Sequence, residues 1–247
     1  MSKLMQALLI GLLYWFTQVK WGYTFQNIFR QPLTVSWFIG MVMGNVPQAI
    51  IIGANLQLVY MGMIAPGANI PADEALAACI AIPIALSTSM TPEMAVAFAV
   101  PFGILGVFLD QIRRTVNATW VHMADRYAED CNIKGIYRAA WLWPALYQIP
   151  LRVIPVGLAT YYGADAVTAF IDSLPKWLLH GFEVTGGMLP ALGFAITMMV
   201  IGKKSLLPYF IAGFFLIQYA KVPIMAAAIF GTVLAFLHVQ FTQVRTQ

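Results

Sequence analysis

Long apolar runs alternate with short polar breaks along this chain. The runs cover residues 4–19, 32–63, 76–109, 141–170, 177–201, 206–220 and 222–239. About 20 apolar residues are needed for a helix to cross the hydrocarbon core of a bilayer, and most of the runs approach or exceed that length. The pattern therefore predicts an all-α integral membrane protein, built as a multi-pass helical bundle.

Prolines and glycines interrupt several of these runs. Residues 32–63 fit either one span or two short half-spans, and the breaks favour the second. Residues 74–86 are too short to cross a bilayer, which indicates a re-entrant hairpin or a tilted short helix. Thr91-Pro92-Glu93 has the composition of a helix start. Residues 141–170 fit either one bent span or two short pieces. The prediction is a bundle with broken or re-entrant helices.

The run from 40 to 57 is unusual because it mixes small and polar residues with aliphatic ones. Its small residues would let another backbone approach closely; they are Gly40, Gly44, Ala49, Gly53 and Ala54. Irregular backbone at membrane depth occurs only where protein buries it or where it lines a cavity. We therefore expect a ligand to bind in this stretch or its continuation to Glu74.

Residues 110–138 form the one strongly charged stretch. Apolar residues recur within it at three- and four-residue steps, which predicts an amphipathic helix. Its arginines and lysine place it in the cytoplasm by the positive-inside rule. The segment gives the chain its predicted orientation.

Composition supports the membrane assignment. Hydrophobic residues make up 60% of the chain and charged residues only 10%, against about 25% charged in soluble domains. The net charge of +4 does not indicate nucleic-acid binding, because the basic residues lie between apolar runs. Cys79 and Cys131 predict neither a disulfide framework nor a zinc site. Lys3 and the run after it resemble a signal peptide without a cleavage site, so we expect a first span or anchor.

Two amides stand out as candidate ligand-binding residues, Asn55 and Gln57. They share a face on an extended or unwound segment but not on a regular helix. Amides donate and accept hydrogen bonds together, as sugar hydroxyls do. The alternative is that they bond backbone groups freed by the glycines and prolines. Asn69, in the continuation of this stretch, is a further candidate.

Two carboxylates in apolar surroundings are also candidates. Asp73 could contact a ligand, or it could cap the helix that follows. Glu183 could contact a ligand or form an ion pair, with Arg152 as a candidate partner. Arg152 could instead extend to the membrane interface, which is the role we expect for it.

A weak internal echo links Pro47 and Gly53 with Pro175 and Gly181. Polar residues follow each glycine at the same two offsets. A structural repeat would place two similar broken elements on opposite sides of one site, with Glu183 facing the amides. The sequence carries no nucleophile elbow, P-loop or dinucleotide motif, so catalysis by this chain alone is not supported.

Residues 40–57 closely resemble the signature of the IIC membrane component in the mannose-type branch of the bacterial sugar phosphotransferase system. That branch covers mannose, fructose, sorbose and N-acetylgalactosamine systems. The matching positions are Gly40, Gly44, Asn45, Ile50, Ile51, Gly53, Leu56 and Gln57. Ala49 and Ala54 replace glycines of the signature, and Asn55 stands where Ser, Thr or Leu is usual. The resemblance continues through residues 67–73 and 186–190 and covers essentially the whole chain.

The resemblance implies one mannose-type IIC domain over residues 1–247, similar in fold to elevator-type transporters. Such a subunit pairs with a homologous IID membrane subunit, and the pairs assemble as a trimer of heterodimers. A cytoplasmic IIB protein, phosphorylated on histidine and working with IIA, passes phosphate to the arriving sugar. No cofactor is implied. Gln57 and Asp73 match polar family positions that belong to the sugar site.

The main hypothesis is therefore the sugar-translocating IIC subunit of a phosphotransferase permease in the bacterial cytoplasmic membrane. Its substrate would be a hexose or an amino sugar. A stand-alone ion-coupled transporter using Asp73 and Glu183 is the alternative, and an intramembrane enzyme is the least supported.

Overall fold

The computed structural model describes residues 2–19, 23–63, 71–88 and 90–244, and no strand occurs among them. The α-helices are α1 Lys3–Gln18, α2 Tyr23–Arg30, α3 Pro32–Met43, α4 Val46–Tyr60, α5 Glu74–Thr88, α6 Pro92–Glu129, α7 Ile133–Tyr137, α8 Trp143–Ser173, α9 Lys176–Ile201, α10 Leu207–Gln218 and α11 Ile224–Val244. The expected all-α class is confirmed.

Helices α3 and α4 form a hairpin of two half-length helices. They hold 12 and 15 residues, so each is about 18–22 Å long and shorter than the ~30 Å hydrocarbon core. Gly44 ends α3 with a φ of +80°, a left-handed conformation that glycine adopts without strain. Asn45 then caps α4, its side chain accepting from the Gln48 backbone N–H at 3.3 Å. The expected break in residues 32–63 is confirmed.

Small residues let the two arms of this hairpin touch. A Cβ on Gly40 would lie 2.7 Å from the Val46 Cα, and one on Gly53 would lie 2.3 Å from the Ser36 Oγ. Any larger residue at either position would push the arms apart. The close backbone approach expected from the glycines is confirmed.

Helix α5 is the central helix of the bundle. Its residues from Ala75 to Ala85 are all buried, as in a helix that is apolar on every side. It packs against α3, α4, α6 and α8. Cys79 is fully buried in this core, where it serves as a small packing residue.

Helices α1 and α8 pack along each other on one side of α5. A Cβ on Gly11 would lie 2.9 Å from the Val153 carbonyl oxygen, and the Trp15 indole N–H donates to the Ala145 carbonyl at 2.9 Å. These contacts bring the inner faces of α1 and α8 within side-chain reach of α5.

Helix α6 begins where the sequence predicts. Thr91 is its N-cap and accepts from the Met94 N–H at 3.4 Å, with Pro92 in the first turn. The helix then runs unbroken for 38 residues to Glu129. The charged segment 110–138 is therefore not a separate helix: its first part continues α6, and its last part lies in α7 and in a π-helix at Arg138–Leu142.

The chain divides into two compact units, Met1–Ile196 and Thr197–Gln247, with the division inside α9. In the second unit α10 and α11 form a hairpin around Lys221, whose φ is 55°; this hairpin was expected. Among the described helices, α6, α9 and α11 are long and apolar enough to cross a membrane, and α3, α4, α5 and α10 are shorter apolar helices. The protein is thus an integral membrane protein by composition and length.

The segments around Pro47 and Pro175, which form the internal echo, do not fold into similar elements. Pro47 lies in the first turn of α4, the second arm of a hairpin, whereas Pro175 precedes α9, which is continuous over 26 residues. The expectation of a second broken helix is wrong. Proline is favoured at the start of any helix, and this general preference accounts for the similarity.

Replacing Gly53 by alanine is expected to lower the free energy of unfolding by about 1–3 kcal/mol, because the new methyl group overlaps Ser36 in α3. Thermal unfolding in detergent, followed by the loss of the monodisperse peak in size-exclusion chromatography, measures this. Gly231→Ala is the matched control, since a Cβ there meets no atom within 4 Å. Equal melting of the two variants would contradict the close α3–α4 packing.

Candidate functional site

A group of buried polar side chains, which we term the arginine network, lies between α1, α5, α6 and α8. It consists of Tyr14, Gln18, Asp73, Asp110, Gln148 and Arg152. Tyr14 and Gln18 are one turn apart on α1, and Gln148 and Arg152 are one turn apart on α8, so each helix presents its pair on a single face. Asp73 immediately precedes α5 and Asp110 lies in α6.

Arg152 is the centre of the network. Its side chain is fully buried. Its Nη1 donates to the Tyr14 hydroxyl at 2.7 Å and its Nε to the Gln148 Oε1 at 3.2 Å. The guanidinium also lies 3.8 Å from a carboxylate oxygen of Asp73 and 3.8 Å from one of Asp110. One cation therefore lies between two acids from different helices.

Asp73 is fully engaged by groups of the protein. Its Oδ2 accepts from the Tyr14 hydroxyl at 2.8 Å, and Gln18 donates to both carboxylate oxygens at 3.1 and 3.2 Å. Its Oδ1 also accepts from the Leu76 backbone N–H at 3.1 Å, which makes Asp73 the cap of α5. Asp73 is 3% exposed, so a ligand could reach the carboxylate only by displacing one of these partners.

The backbone of α6 closes over Asp73. The Asp73 N–H donates to the Gly103 carbonyl at 2.8 Å, and a Cβ on Gly106 would lie 2.3 Å from the Asp73 Cβ. A residue larger than glycine at 106 would separate α6 from the start of α5. The absence of a side chain at Gly106 explains how a long helix can pack directly on a buried carboxylate.

Asp110 connects the arginine network to the charged part of α6. Its two oxygens accept from the Nε atoms of Arg113 and Arg114 at 2.8 Å each. One of these oxygens also lies 3.8 Å from the Arg152 guanidinium. Burying a charge is costly unless it is paired and hydrogen-bonded. Every charged member of the network meets that condition.

The expected interface position of Arg152 and the candidate Arg152–Glu183 pair are both wrong. Arg152 does not extend to the interface, because the acids and the Tyr14 hydroxyl give its charge partners inside the bundle. Glu183 does not pair with Arg152; its carboxylate lies 3.6 Å from the His180 Nδ1, one turn earlier in α9. Both side chains of that pair are substantially exposed.

A second polar group lies where α2, α3 and α4 meet. Gln57 Nε2 donates to the Gln31 Oε1, and the Gln57 Oε1 accepts from the Leu33 N–H at 3.4 Å at the start of α3. Next to Gln31, the Arg30 Nε is buried and has no hydrogen-bond partner in the part of the chain that is described. The junction thus combines an amide pair with an unsatisfied guanidinium donor.

The remaining predicted site residues are not gathered at one point by the contacts of the described chain. Asn55 and Gln57 lie on a regular helix, so the prediction of an unwound segment is wrong. Residues two positions apart on a helix point about 200° away from each other, so the two amides do not share a face. Asn55 donates to the Ile51 carbonyl one turn earlier at 2.9 Å, which is the backbone-bonding alternative. Asn69 lies outside the described residues.

The sequence reasoning missed Tyr14, Gln18, Asp110 and Gln148. A signal was present: in two otherwise apolar runs, polar residues recur four positions apart, at 14 and 18 and at 148 and 152. Such pairs lie on one helix face and imply a polar partner across the bundle. Among the described residues, no group of three metal-ligating side chains could hold an ion.

Comparison with known proteins gives consistent matches. A family model described as "PTS system sorbose-specific iic component" matches residues 4–237. The mannose-specific EIIC component of the PTS system from Escherichia coli (strain K12) is 29% identical over 217 residues, which are 87% of this chain and 80% of that protein.

Two solved structures are also similar to this chain. One, described as a structure of a membrane protein, has a TM-score of 0.83. The other is a cryo-EM structure of the mannose transporter ManYZ in complex with microcin E492 and has a TM-score of 0.59. Each is 25% identical to this chain and covers 96% of it and 95% of the solved chain.

Arg152→Met is expected to destabilise the bundle by about 3–5 kcal/mol, because it leaves Asp73 and Asp110 buried without their shared cation. Arg152→Lys should lie between methionine and wild type, since a single ammonium cannot span both acids and Gln148. Melting temperature in detergent measures both. Arg126→Met, at an exposed position of α6, serves as the control. A methionine variant as stable as that control would show that the network contributes little.

Proposed function

Because the chain belongs to the sorbose-specific IIC family of the phosphotransferase system, it is the sugar-translocating IIC subunit of a phosphotransferase permease, and we propose that its sugar binds beside Gln57. Relatives with this role include a mannose-specific component. The substrate is a hexose or an amino sugar of the mannose, sorbose or N-acetylgalactosamine class.

The observation that carries the site is the polar junction of α2, α3 and α4. Gln57, Gln31 and the Arg30 Nε offer donors and acceptors at the end of a half-length helix. Sugar hydroxyls both donate and accept, so they can replace the Gln57–Gln31 contact and satisfy the arginine. The amide pair holds these groups in position before the sugar arrives.

Asp73 acts in this proposal as a positioning residue. Its hydrogen bonds tie α5 to α1, and its backbone ties α5 to α6. Residues 71–73 connect the proposed sugar site to α5, so holding the start of α5 in place also fixes their position. Substituting Asp73 therefore alters uptake through structure rather than through loss of a direct sugar contact.

The other predicted residues keep narrower roles. Asn69 precedes this segment and is proposed as a sugar contact by the family resemblance. Asn55 stands at a position where the family has Ser, Thr or Leu, and we propose that it influences which sugar is preferred. Glu183, half exposed on α9 beside His180, is proposed to line the sugar path.

Transport is proposed to follow an elevator mechanism. The short α3–α4 hairpin, packed on the buried α5, is suited to move as one body because its arms are locked together by Gly40 and Gly53. The polar turn at Gly44 and Asn45 can move along the bilayer normal only while protein buries it or it lines a cavity, as in broken-helix transporters. The helices tied together by the arginine network, α1, α5, α6 and α8, supply the fixed frame in this proposal.

Phosphorylation of the sugar is proposed to occur on a partner. The sequence carries no phosphate-binding motif, and phosphoryl transfer needs a donor and positioned charge. A cytoplasmic IIB protein, phosphorylated on histidine with IIA upstream, would act at the inner face. The arriving sugar then becomes an anion that does not return. We propose that the charged segment 110–138 lies on this cytoplasmic side of the inner membrane.

A IID membrane subunit is the proposed membrane partner, with three IIC–IID pairs in the complete permease. The second unit supports this proposal. Its helices α10 and α11 are apolar, and their described residues are exposed along nearly their whole length. Exposed apolar helices of this kind face lipid or another membrane subunit.

Gln57→Ala is expected to lower sugar uptake at least tenfold. The variant loses one or two hydrogen bonds to the sugar, of about 1 kcal/mol each, and Gln31 loses the partner that holds it in position. Uptake of radiolabelled mannose and sorbose in cells measures this, with membrane content checked by immunoblot. Gln48→Ala, in the first turn of the same helix, is the matched control. Full uptake by the Gln57 variant would remove this residue from the site.

Collapse of the membrane potential is expected to leave uptake nearly unchanged, while deletion of the IIB partner should abolish accumulation. An ion-coupled carrier using Asp73 and Glu183 would behave in the opposite way. Uptake with an uncoupler present, compared with uptake in the deletion strain, distinguishes them. Normal accumulation of unphosphorylated sugar without IIB would contradict the phosphotransferase mechanism.

A further inference from the structure

A cavity of about 390 Å³ lies between the charged half of α6, the end of α1 and the beginning of α8. It is separate from the Gln57 junction and shares no lining residue with it. Its size is in the range of small-molecule sites. Its wall includes Gln18, Arg113, Asn117, Trp120, Trp141 and Gln148.

Two side chains of this wall carry polar atoms that nothing in the described chain satisfies. The Asn117 Oδ1 is an acceptor and the Trp120 Nε1–H is a donor, and both are shielded from solvent without a hydrogen-bond partner. They are three residues apart on α6, so they lie on the same face. Unsatisfied buried polar atoms are rare and call for an explanation, such as a bound group. Both side chains line the cavity, and a rotation of each about its side-chain torsions turns these atoms toward it. An acceptor beside a donor then matches a ligand whose groups do both.

The charge of the wall selects a neutral ligand. Among the described residues, Arg113 and Asp125 are the charged side chains of the wall, one of each sign. The Arg113 Nη2 lies 2.7 Å from the Asp110 carboxylate, which Arg114 and Arg152 also contact. A phosphate or carboxylate would be attracted by Arg113 but repelled by Asp125. Hydroxyl groups carry no such penalty.

The surrounding backbone and aromatic rings are also typical of a binding site. Ala139, Ala140 and Trp141 line the cavity from the π-helix at Arg138–Leu142, and π-helical turns occur frequently at functional sites. The Trp120 ring stacks on Trp143, with centroids 6.3 Å apart and an angle of 17°. Fixed indole rings present the flat apolar surfaces that pack against the C–H faces of sugar rings.

We propose that this cavity is a second binding site for a neutral sugar, held by Asn117 and Trp120 on the cytoplasmic half of α6. That the polyhydroxyl ligand is the transported sugar rests on the proposed function. Gln18 and Gln148 line the cavity and also bond Asp73 and Arg152, so the second site adjoins the arginine network.

The test is the number of sugars bound per chain in the purified permease, co-expressed with its IID partner. Equilibrium dialysis with radiolabelled mannose, and separately with sorbose, should give two sites for the transported sugar. Asn117→Leu and Trp120→Phe should each remove one site, weakening it at least tenfold. Gln57→Ala should remove the other. Mannose 6-phosphate should not compete at the cavity.

Stability separates a binding role from a packing role. Asn117→Leu deletes an unsatisfied polar atom and keeps the branched skeleton, so its melting temperature should stay equal or rise. Trp120→Phe also removes part of the ring that stacks on Trp143, so a small loss of stability is expected for that variant. Thr160→Val is the matched control, because the Thr160 hydroxyl is also buried and unsatisfied but lies outside the cavity. It should retain both sites.

The possible outcomes test the cavity and the Gln57 site separately. One site per chain, lost with Gln57→Ala and intact in the Asn117 and Trp120 variants, removes the second site and leaves the proposed function standing. One site lost only with the α6 variants supports the cavity and instead removes Gln57 from the sugar site. Binding of neither sugar, or tighter binding of mannose 6-phosphate at the cavity, contradicts the neutral-sugar assignment.

Discussion

The placement of one guanidinium between two carboxylates determines how the first unit is assembled. Arg152 on α8 reaches the acid that caps α5 and the acid in the middle of α6, and the Tyr14 hydroxyl brings α1 into the same arrangement. Apolar contacts alone give little direction to helices in a lipid environment, since lipid tails are as apolar as leucine. A buried ion pair with short hydrogen bonds permits far fewer alignments. Four helices are therefore held in register by one side chain.

This arrangement also separates the tasks of the polar residues. Asp73 has all of its close partners inside the bundle, whereas Gln57 and Arg30 lie at a junction with unsatisfied hydrogen-bonding capacity. The best-buried carboxylate thus serves the architecture, and in the proposed function the amides serve recognition. Amides suit a carrier that must release its sugar, since neutral hydrogen bonds are weaker than charge-assisted ones.

Much of the architecture could be read from local sequence. The break at Gly44 and Asn45, the start of α6 at Thr91 and the hairpin at Lys221 follow from the conformational preferences of a few residues. The partner of a charged residue could not be read in this way. Arg152 and Asp73 are distant in sequence, and only the packing of α1, α5 and α8 brings them together.

Site prediction met the same limit in a different form. Gln57 could be singled out because it is polar in an apolar run, but its pairing with Gln31 depends on how α3 folds back along α4. The assumed unwinding at Asn55 failed because the break falls earlier, at Gly44, which leaves α4 regular. Asn117 and Trp120 lie in a charged, amphipathic segment. Polar residues of such a segment are expected to face water, so the sequence does not single these two out as site residues.

The length of α6 has a mechanical consequence. From Gly106, which touches Asp73, to Glu129 the helix contains no proline and extends about 35 Å. A rod of that length works as a lever: a tilt of about 10° at the buried end displaces the far end by about 6 Å. Small rearrangements around the buried Asp73 carboxylate are thus amplified at the far tip of α6. With the proposed orientation, a soluble partner could sense the state of the transporter there without entering the bilayer.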